Sequence, residues 1–305
     1  MSKNLRRLPS LTASASRITG PIVTLFAIPK SFEDPHTAMI QRNAIVSWTK
    51  LGPSVQVVLV GDDQGIAEIA KEFGLQHVAT LKKNNHGTPM LNDAFAKAEQ
   101  VNDSPLIAYV NSDIILLSDF VLVATRLAAS SMKNFLMIGR RTDTDIQAMV
   151  DFNEPDWSSR LAKIAKESGT LAAVVCKDYF VFPRGQYPSI PDFAVGRGNW
   201  DNWMVASTKK AKHPILEATK VITAIHQNHG YQHVKGGRSA AYVTGVEARE
   251  NLKLAGGRNL ISGCHADMQI AADGDDLKLT TGKSMPFWSD LPKFISLVKR
   301  LVVER

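Results

Sequence analysis

Short apolar runs alternate with helical patterns through the first 140 residues, and this alternation constrains the fold more than any other feature. Five runs have the composition of buried strands: 22–27 (IVTLFA), 55–60 (VQVVLV), a short run near 77–80, 106–110 (LIAYV) and 135–139. The segments 36–51, 64–73, 89–98 and 118–130 repeat apolar residues at helical spacing, and Thr88 is predicted to cap the third of them. Strands alternating with helices predict an α/β fold with a mostly parallel sheet flanked by helices.

The chain divides into four predicted parts. Residues 1–20 are basic and rich in Ser and Thr, without the apolar core of a secretory signal, which predicts a flexible leader. Residues 21–140 carry the regular alternation, whereas 141–290 have longer loops that gather prolines and aromatic residues. Residues 291–305 place apolar side chains at helical spacing beside basic ones, which predicts an amphipathic surface helix.

Charge and missing motifs narrow the function classes. The net charge of +7 favours anionic partners, yet no dense basic run with interleaved aromatics is present, which argues against nucleic acid. The turn after the first strand, which ends at Ala27, reads IPKSFEDPH where a dinucleotide-binding domain would carry GxGxxG. A P-loop is missing as well. The sequence therefore argues against an oxidoreductase, an NTPase and a kinase. A methyltransferase is less easily excluded, although the glycine-rich first turn of that class is also missing here.

A polar triplet, Asn111-Ser112-Asp113, interrupts two apolar runs at the predicted end of the fourth strand. Ligands of open α/β sheets bind at the carboxyl ends of strands, and burying an unpaired carboxylate costs several kcal/mol, roughly as much as a cavity in the core. A divalent cation bound by Asp113 would satisfy that carboxylate and neutralise a diphosphate. The alternative is that Asp113 caps the following turn.

These residues resemble the nucleotide-sugar-dependent glycosyltransferases of the GT-A fold, over about residues 20–230. The NSD triplet looks like a variant of their DxD motif that keeps the last acid, and the GTPMLNDAFAKA segment (87–98) precedes the acidic strand as in that family. The resemblance implies a Rossmann-like sheet in which 21–140 form the nucleotide-sugar-binding half and 141–290 the acceptor-binding and catalytic half of one domain.

The resemblance also implies a donor site. The nucleotide-sugar-binding candidates are Ala27, Arg42, Asp62, Asn92, Asn111, Ser112, Asp113 and Lys235. Several have a plainer interpretation: Arg42 in a buried ion pair, Asp62 in an exposed turn, Asn92 on a polar helix face and Lys235 in a basic surface loop.

On the acceptor side, the segment PDFAVGRGNWDNWMV (191–205) resembles the loop and helix that carry the general base in inverting members of this group. Asp201 matches that base. An apolar surround formed by Trp200 and Trp203 would raise the pKa of this carboxyl. Arg197 and Asn202, together with both tryptophans, are the acceptor-binding candidates. The alternative is that Asp201 caps a helix whose tryptophans belong to the core.

Three histidines follow an apolar run in IHQNHGYQHVKGG (225–237). In GT-A enzymes a histidine after the last sheet strand often binds the metal, which makes His226 the first candidate beside Asp113, with His229 and His233 in reserve. Mn²⁺ or Mg²⁺ is the expected cofactor, and imidazole suits Mn²⁺ better. A zinc site is less favoured, because no cysteine or acid lies near these histidines in the sequence.

Taken with the resemblance, these residues predict a metal-assisted, inverting glycosyltransferase that moves a sugar from a nucleotide-sugar donor to a hydroxyl of a glycan or lipid-linked acceptor. The alternative is a non-catalytic nucleotide- or carbohydrate-binding protein of the same fold. A cytoplasmic location is expected because the two cysteines, Cys176 and Cys264, are too few for a disulfide framework. The basic amphipathic end predicts peripheral contact at the inner membrane face.

Overall fold

A computed structural model describes residues 20–230, 239–257, 266–274 and 276–281. The predicted leader, apart from Gly20, and the predicted C-terminal helix lie outside these residues. Within them, no helix is both long enough and apolar enough to cross a membrane.

The described strands follow the apolar runs closely in the first half of the chain. They are β1 (Val23–Ala27), β2 (Val55–Val60), β3 (Gln76–Val78), β4 (Leu106–Val110), β5 (Ile114–Leu116), β6 (Leu136–Arg140), β7 (Thr142–Thr144), β8 (Thr170–Leu171), β9 (Lys177–Pro183), β10 (Ile215–Glu217), β11 (Ala224–Gln227), β12 (Met268–Asp273) and β13 (Asp276–Thr281).

Nine of these strands form one sheet in the order β13-β12-β10-β6-β9-β4-β1-β2-β3. Neighbours pair in parallel, except that β9 runs antiparallel to β4 and β6, and β13 antiparallel to β12. The expected α/β fold with a mostly parallel sheet is confirmed. The order also shows why the alternation weakens after residue 140, since β9 inserts between two strands that precede it in the chain.

A second, four-stranded sheet has the order β5-β11-β7-β8. Its strand β5 is the apolar run that follows the Asn111-Ser112-Asp113 triplet, and β5 pairs antiparallel with β11, so that Ile114 lies opposite His226. The other neighbour of β11 is β7, where Asp143 lies opposite His226. This small sheet therefore brings a histidine from late in the chain next to the triplet.

The helices are α1 (Pro35–Thr49), α2 (Ile66–Glu72), α3 (Leu91–Glu99), α4 (Ser118–Ala129), α5 (Trp157–Glu167), α6 (Trp200–Lys210) and α7 (Val246–Leu254), and a π-helical segment spans Ala240–Thr244. Asp34 caps α1 by accepting a hydrogen bond from the Thr37 amide at 2.7 Å, and Pro35 begins that helix, where its missing N–H has no cost.

One helix start differs from the prediction. Helix α3 begins at Leu91, so Thr88 does not cap it. The backbone before it is extended and forms isolated β-bridges, Lys83 with Pro89 and Met90 with Ala194. Contacts with a segment a hundred residues away therefore override the local signal for a helix at Pro89.

Side chains alternate between the two faces of the sheet and build two hydrophobic clusters. On β1, Val23 and Leu25 pack into the cluster that includes Trp48 of α1, whereas Phe26 points to the opposite cluster. There Phe26 packs edge-on against Phe95 of α3, with ring centroids 4.9 Å apart. Both faces of the sheet are thus covered, which is why its strands are nearly continuous apolar runs.

Candidate functional site

A cavity of about 600 Å³ opens where β1 and β4 end. Its walls come from the turn after β1 (28–30), the triplet after β4 (111–113), the start of β9 (175–178), the loop entering α6 (195–202) and the π-helical segment (241–243), together with single residues that include Asp63, Arg141 and His229. The carboxyl ends of parallel strands are the usual place for a ligand in such a sheet.

The Asp113 carboxylate is bound by two histidines. Its Oδ2 lies 3.0 Å from Nε2 of His229 and 3.5 Å from Nε2 of His226. Its Oδ1 is buried and has no hydrogen-bond partner among the described residues. No described backbone amide donates to this carboxylate, which leaves the turn-capping interpretation without support.

These three side chains form a set of ligands that a divalent cation could bind. The candidate ligand atoms of Asp113, His226 and His229 all lie within 4.8 Å of one another. A carboxylate and two imidazoles fit Mn²⁺ better than Mg²⁺, which prefers oxygen ligands, and the unpartnered Oδ1 is free to accept a metal. The structure also supplies the acid that the sequence lacked near the histidines, so the argument against zinc is weaker than the sequence indicated.

The charges of this cluster support one another. Burial raises the pKa of Asp113, but the neighbouring His226 and His229 outweigh that effect and hold it well below its usual range. Burial and Arg141 lower the pKa of His226, while Asp113 and Asp143 outweigh both and raise it to about 9. Such mutual stabilisation is what an ion pair between Asp113 and His226 produces, and a cation bound by the same atoms would take over the role of the imidazolium charge.

A shell of polar side chains surrounds the cluster. Arg141 donates to Oδ1 of Asp143 at 2.8 Å and to Oδ1 of Asp178 at 2.8 Å. Asn111 donates to the same Asp178 oxygen at 2.7 Å. The side-chain amide of Asn111 therefore belongs to this shell, and Asn111 and Ser112 both line the cavity.

Asp201 lies in the first turn of α6 and lines the same cavity. Its surround differs from the expected apolar one, because its Oδ2 forms an ion pair with Nζ of Lys177 at 3.0 Å. The Lys177 amine is buried and also donates to the Val175 carbonyl at 3.0 Å and to Oδ1 of Asn202 at 3.2 Å. The capping position belongs to Asn199, in a left-handed conformation with φ of 78°, so Asp201 is not the N-cap either.

The two tryptophans are mainly core residues. Trp200 packs against Tyr109 and Phe180, with ring centroids 5.0 Å apart in each pair, and it also lines the cavity. Trp203 packs against Phe193 and does not line the cavity. Neither ring shields the Asp201 carboxylate in the way that the sequence predicted.

Arg197 lines the cavity, and its guanidinium forms an ion pair with a residue of helix α7. It donates to Oε2 of Glu247 on α7 through NH2 at 2.7 Å and through Nε at 3.0 Å. Asn251, also on α7, accepts from the Ala194 amide at 2.9 Å and donates to the Gly198 carbonyl at 3.2 Å. Helix α7 therefore fixes the loop that forms this wall of the cavity.

Other donor-site candidates lie away from the cavity. Arg42 forms a half-exposed ion pair with Glu72 at 2.6 Å, and Asp62 forms one with Lys83 at 2.8 Å. Both charges are therefore paired at the protein surface. Asn92 donates to Asp192 at 2.7 Å, and Ala27 is buried in β1. Lys235 and His233 lie outside the described residues.

Several cavity residues were missed by the sequence reasoning. They are Lys30, Arg141, Lys177 and Asp178. Lys177 and Asp178 open strand β9, where a charged pair before the apolar run YFVF was a usable signal. Lys30 and Arg141 each follow a buried strand and so lie near the carboxyl ends of the strands, where ligands bind. That position in the sequence could have identified both as candidates.

No protein-family model matches the chain. No curated protein matches it at a significant level either. Among solved structures, glucosyl-3-phosphoglycerate synthase from Mycobacterium tuberculosis is similar over 87% of this chain and 89% of its own, at 12% identity and a TM-score of 0.46. The same protein crystallised with Mg²⁺ and uridine diphosphate gives 13% identity and a TM-score of 0.45, over 86% of this chain and 87% of its own.

Mannosyl-3-phosphoglycerate synthase from Rubrobacter xylanophilus is similar over 85% of this chain and 84% of its own, at 15% identity and a TM-score of 0.42. These proteins are GT-A-type glycosyltransferases, the group that the sequence resembles. At identities and TM-scores this low, the activity of this chain has to be inferred from its own residues.

Proposed function

We propose that this chain is a glycosyltransferase that moves a sugar from a nucleotide-sugar donor to a hydroxyl of a glycan or lipid-linked acceptor. One observation carries the proposal: a half-buried carboxylate, Asp113, whose Oδ1 has no hydrogen-bond partner among the described residues, meets two imidazoles at the end of β4, in the cavity that also contains Asp201. A cation site and a second carboxylate in one cavity are the two parts that a metal-assisted transfer requires.

Asp113, His226 and His229 would hold Mn²⁺ or Mg²⁺. When bound, the cation neutralises the negative charge of the departing nucleoside diphosphate. Asp143 holds Nδ1 of His226, which keeps the Nε2 atom directed at Asp113. The outer residues Arg141 and Asp178 keep Asp143 in place without occupying the ligand atoms.

Asp201 would accept the proton of the acceptor hydroxyl as that oxygen attacks the anomeric carbon and the bond from that carbon to the diphosphate breaks. Lys177 engages Oδ2, and no hydrogen bond to Oδ1 is present among the described residues, so Oδ1 is the atom that would face the hydroxyl. Attack from the side opposite to the leaving group inverts the anomeric centre.

A second candidate is a non-catalytic nucleotide- or carbohydrate-binding protein of the same fold. The Lys177–Asp201 ion pair favours it, because a carboxylate paired with a buried ammonium is a weaker base than one in an apolar surround. In that case the cavity would bind a nucleotide-sugar without cleaving it.

Nucleotide release separates the two candidates. The purified chain is incubated with UDP- and GDP-sugars and Mn²⁺, and free nucleoside diphosphate is measured with and without simple glycosides as acceptors. Release that depends on Mn²⁺ supports the transferase. Donor binding by calorimetry with neither hydrolysis nor transfer supports the binding protein, and a chain that binds no donor contradicts both candidates. A cytoplasmic location and contact with the membrane face stay predictions.

A further inference from the structure

Among the described residues, four lysine and arginine side chains line the cavity, and three of them form ion pairs within the protein. Arg141 pairs with Asp143 and Asp178, Lys177 pairs with Asp201, and Arg197 pairs with Glu247, each at 2.7–3.0 Å. The fourth, Lys30, forms no ion pair with any described residue, and its side chain is exposed in the turn after β1. Among the cavity residues that the structure describes, the ammonium of Lys30 is therefore the positive charge that remains available to a ligand.

The backbone of Lys30 is held by a buried side chain. Gln41 of α1 is only 3% exposed. Its Oε1 accepts a hydrogen bond from the Lys30 amide at 2.7 Å, and its Nε2 donates to the Lys30 carbonyl at 2.9 Å. The side-chain amide of Gln41 thus forms hydrogen bonds with both the backbone N–H and the backbone carbonyl of Lys30. This leaves the side chain as the part of Lys30 that is free to reach into the cavity.

Lys30 and Asp113 face the same space. Strands β1 and β4 pair in parallel, with Phe26 beside Tyr109, so the turns that follow them are neighbours. The surrounding cavity walls partly desolvate the Lys30 ammonium and lower its pKa, although the side chain keeps access to solvent, whereas the Asp113 carboxylate raises that pKa. The ammonium is therefore within electrostatic reach of the candidate cation site.

Charge balance indicates what Lys30 binds. A divalent cation on Asp113 and two neutral imidazoles carries a net charge of about +1, whereas the diphosphate of a free nucleotide carries about −3, so one cation leaves it incompletely neutralised. We propose that Lys30 binds the diphosphate of the nucleotide-sugar donor and that Gln41 positions it. This inference rests on the proposed function.

The test compares nucleotides with nucleosides. Calorimetry with Mn²⁺ measures UDP and GDP binding to the wild type and to Lys30→Met, and competition measures uridine and guanosine. The variant should bind the diphosphates about 10- to 100-fold more weakly, the usual effect of losing a charge-assisted hydrogen bond, and the nucleosides with unchanged affinity. Lys30→Arg, which keeps the charge, should restore most of the affinity.

Two further variants sharpen the comparison. Lys50→Met removes an exposed lysine at the far end of α1, about 14 Å along the helix axis from the cavity residue Gln41, and should leave diphosphate affinity unchanged. Gln41→Leu removes both backbone bonds and should weaken diphosphate binding in the same direction as Lys30→Met, without a loss of nucleoside affinity.

The outcomes separate this inference from the proposed function. If the wild type binds neither UDP nor GDP with Mn²⁺, both are wrong. If the wild type binds them and Lys30→Met binds them equally well, or loses nucleoside affinity to the same extent, Lys30 does not bind the diphosphate and the proposed function is untouched.

Discussion

The Nδ1 atom of His226 lies 2.9 Å from Oδ1 of Asp143, while its Nε2 atom lies 3.5 Å from Oδ2 of Asp113. One imidazole thus joins a carboxylate outside the candidate metal site to the carboxylate within it. Because β11 pairs with β7 in a register that sets His226 against Asp143, the backbone enforces this relationship. A carboxylate behind a metal-binding histidine orients its ring and increases its basicity as a ligand.

Asp143→Asn should therefore weaken Mn²⁺ binding by about 10- to 100-fold, the usual cost of losing such an outer partner. The measurement is direct titration of Mn²⁺ by electron paramagnetic resonance, without nucleotide. The matched control is Asp145→Asn, two residues along, where the exposed carboxylate accepts a hydrogen bond from Asn228 at 2.7 Å and has no other partner in the part of the chain that the structure describes. Equal Mn²⁺ affinity in both variants would show that Asp143 does not act through His226.

Asp113→Asn should reduce the effect of Mn²⁺ on UDP and GDP binding while leaving the fold intact. The amide keeps the size of the carboxylate but is a poor metal ligand, and the residue lies at a strand end rather than in the core. Calorimetry with and without Mn²⁺ gives the affinities, and circular dichroism checks the fold. A Mn²⁺ enhancement that persists in the variant removes Asp113 from the metal site.

Asp201→Asn should slow transfer by about 10²- to 10⁴-fold, the usual contribution of a general base, because the amide cannot take up a proton. Donor binding should survive, since the candidate metal ligands are on other elements. Lys177 keeps two carbonyl-type acceptors, Val175 and Asn202, so the fold should tolerate the change. Transfer at the wild-type rate would leave Asp201 with a structural role as the partner of Lys177.

Asp119 in the first turn of α4 offers a stability test that is independent of the site. Burial raises its pKa, an effect that outweighs the hydrogen bond that its Oδ2 accepts from the Thr223 amide at 2.8 Å. A carboxyl whose pKa is higher in the folded state stabilises the fold below its unfolded pKa, near 3.8, and this contribution is lost as the pH rises through the folded value.

Asp119→Asn lacks this titration, so its free energy of unfolding relative to the wild type should increase as the pH rises from about 4 to 7. Urea denaturation at a series of pH values measures the difference. A difference that stays flat, or that falls with pH because the helix N-terminus favours the charged form, would contradict the prediction.

The sequence by itself determined the elements of the first half and the position of Asp113. Hydrophobic periodicity is a local property of the chain, and strands β2 and β4 coincide with the apolar runs at 55–60 and 106–110. A polar triplet that follows such a run lies at the carboxyl ends of the strands in any parallel α/β fold. The same local signals failed at Thr88, where tertiary pairing decided the backbone.

Only the tertiary structure decided which side chains meet. His229 reaches Asp113 across 116 residues, because β11 returns to pair with β5. Lys177 reaches Asp201 because β9 inserts antiparallel between β4 and β6 and so brings its first residues to the cavity. No local pattern encodes these encounters, since strand order and register arise from the packing of the whole sheet.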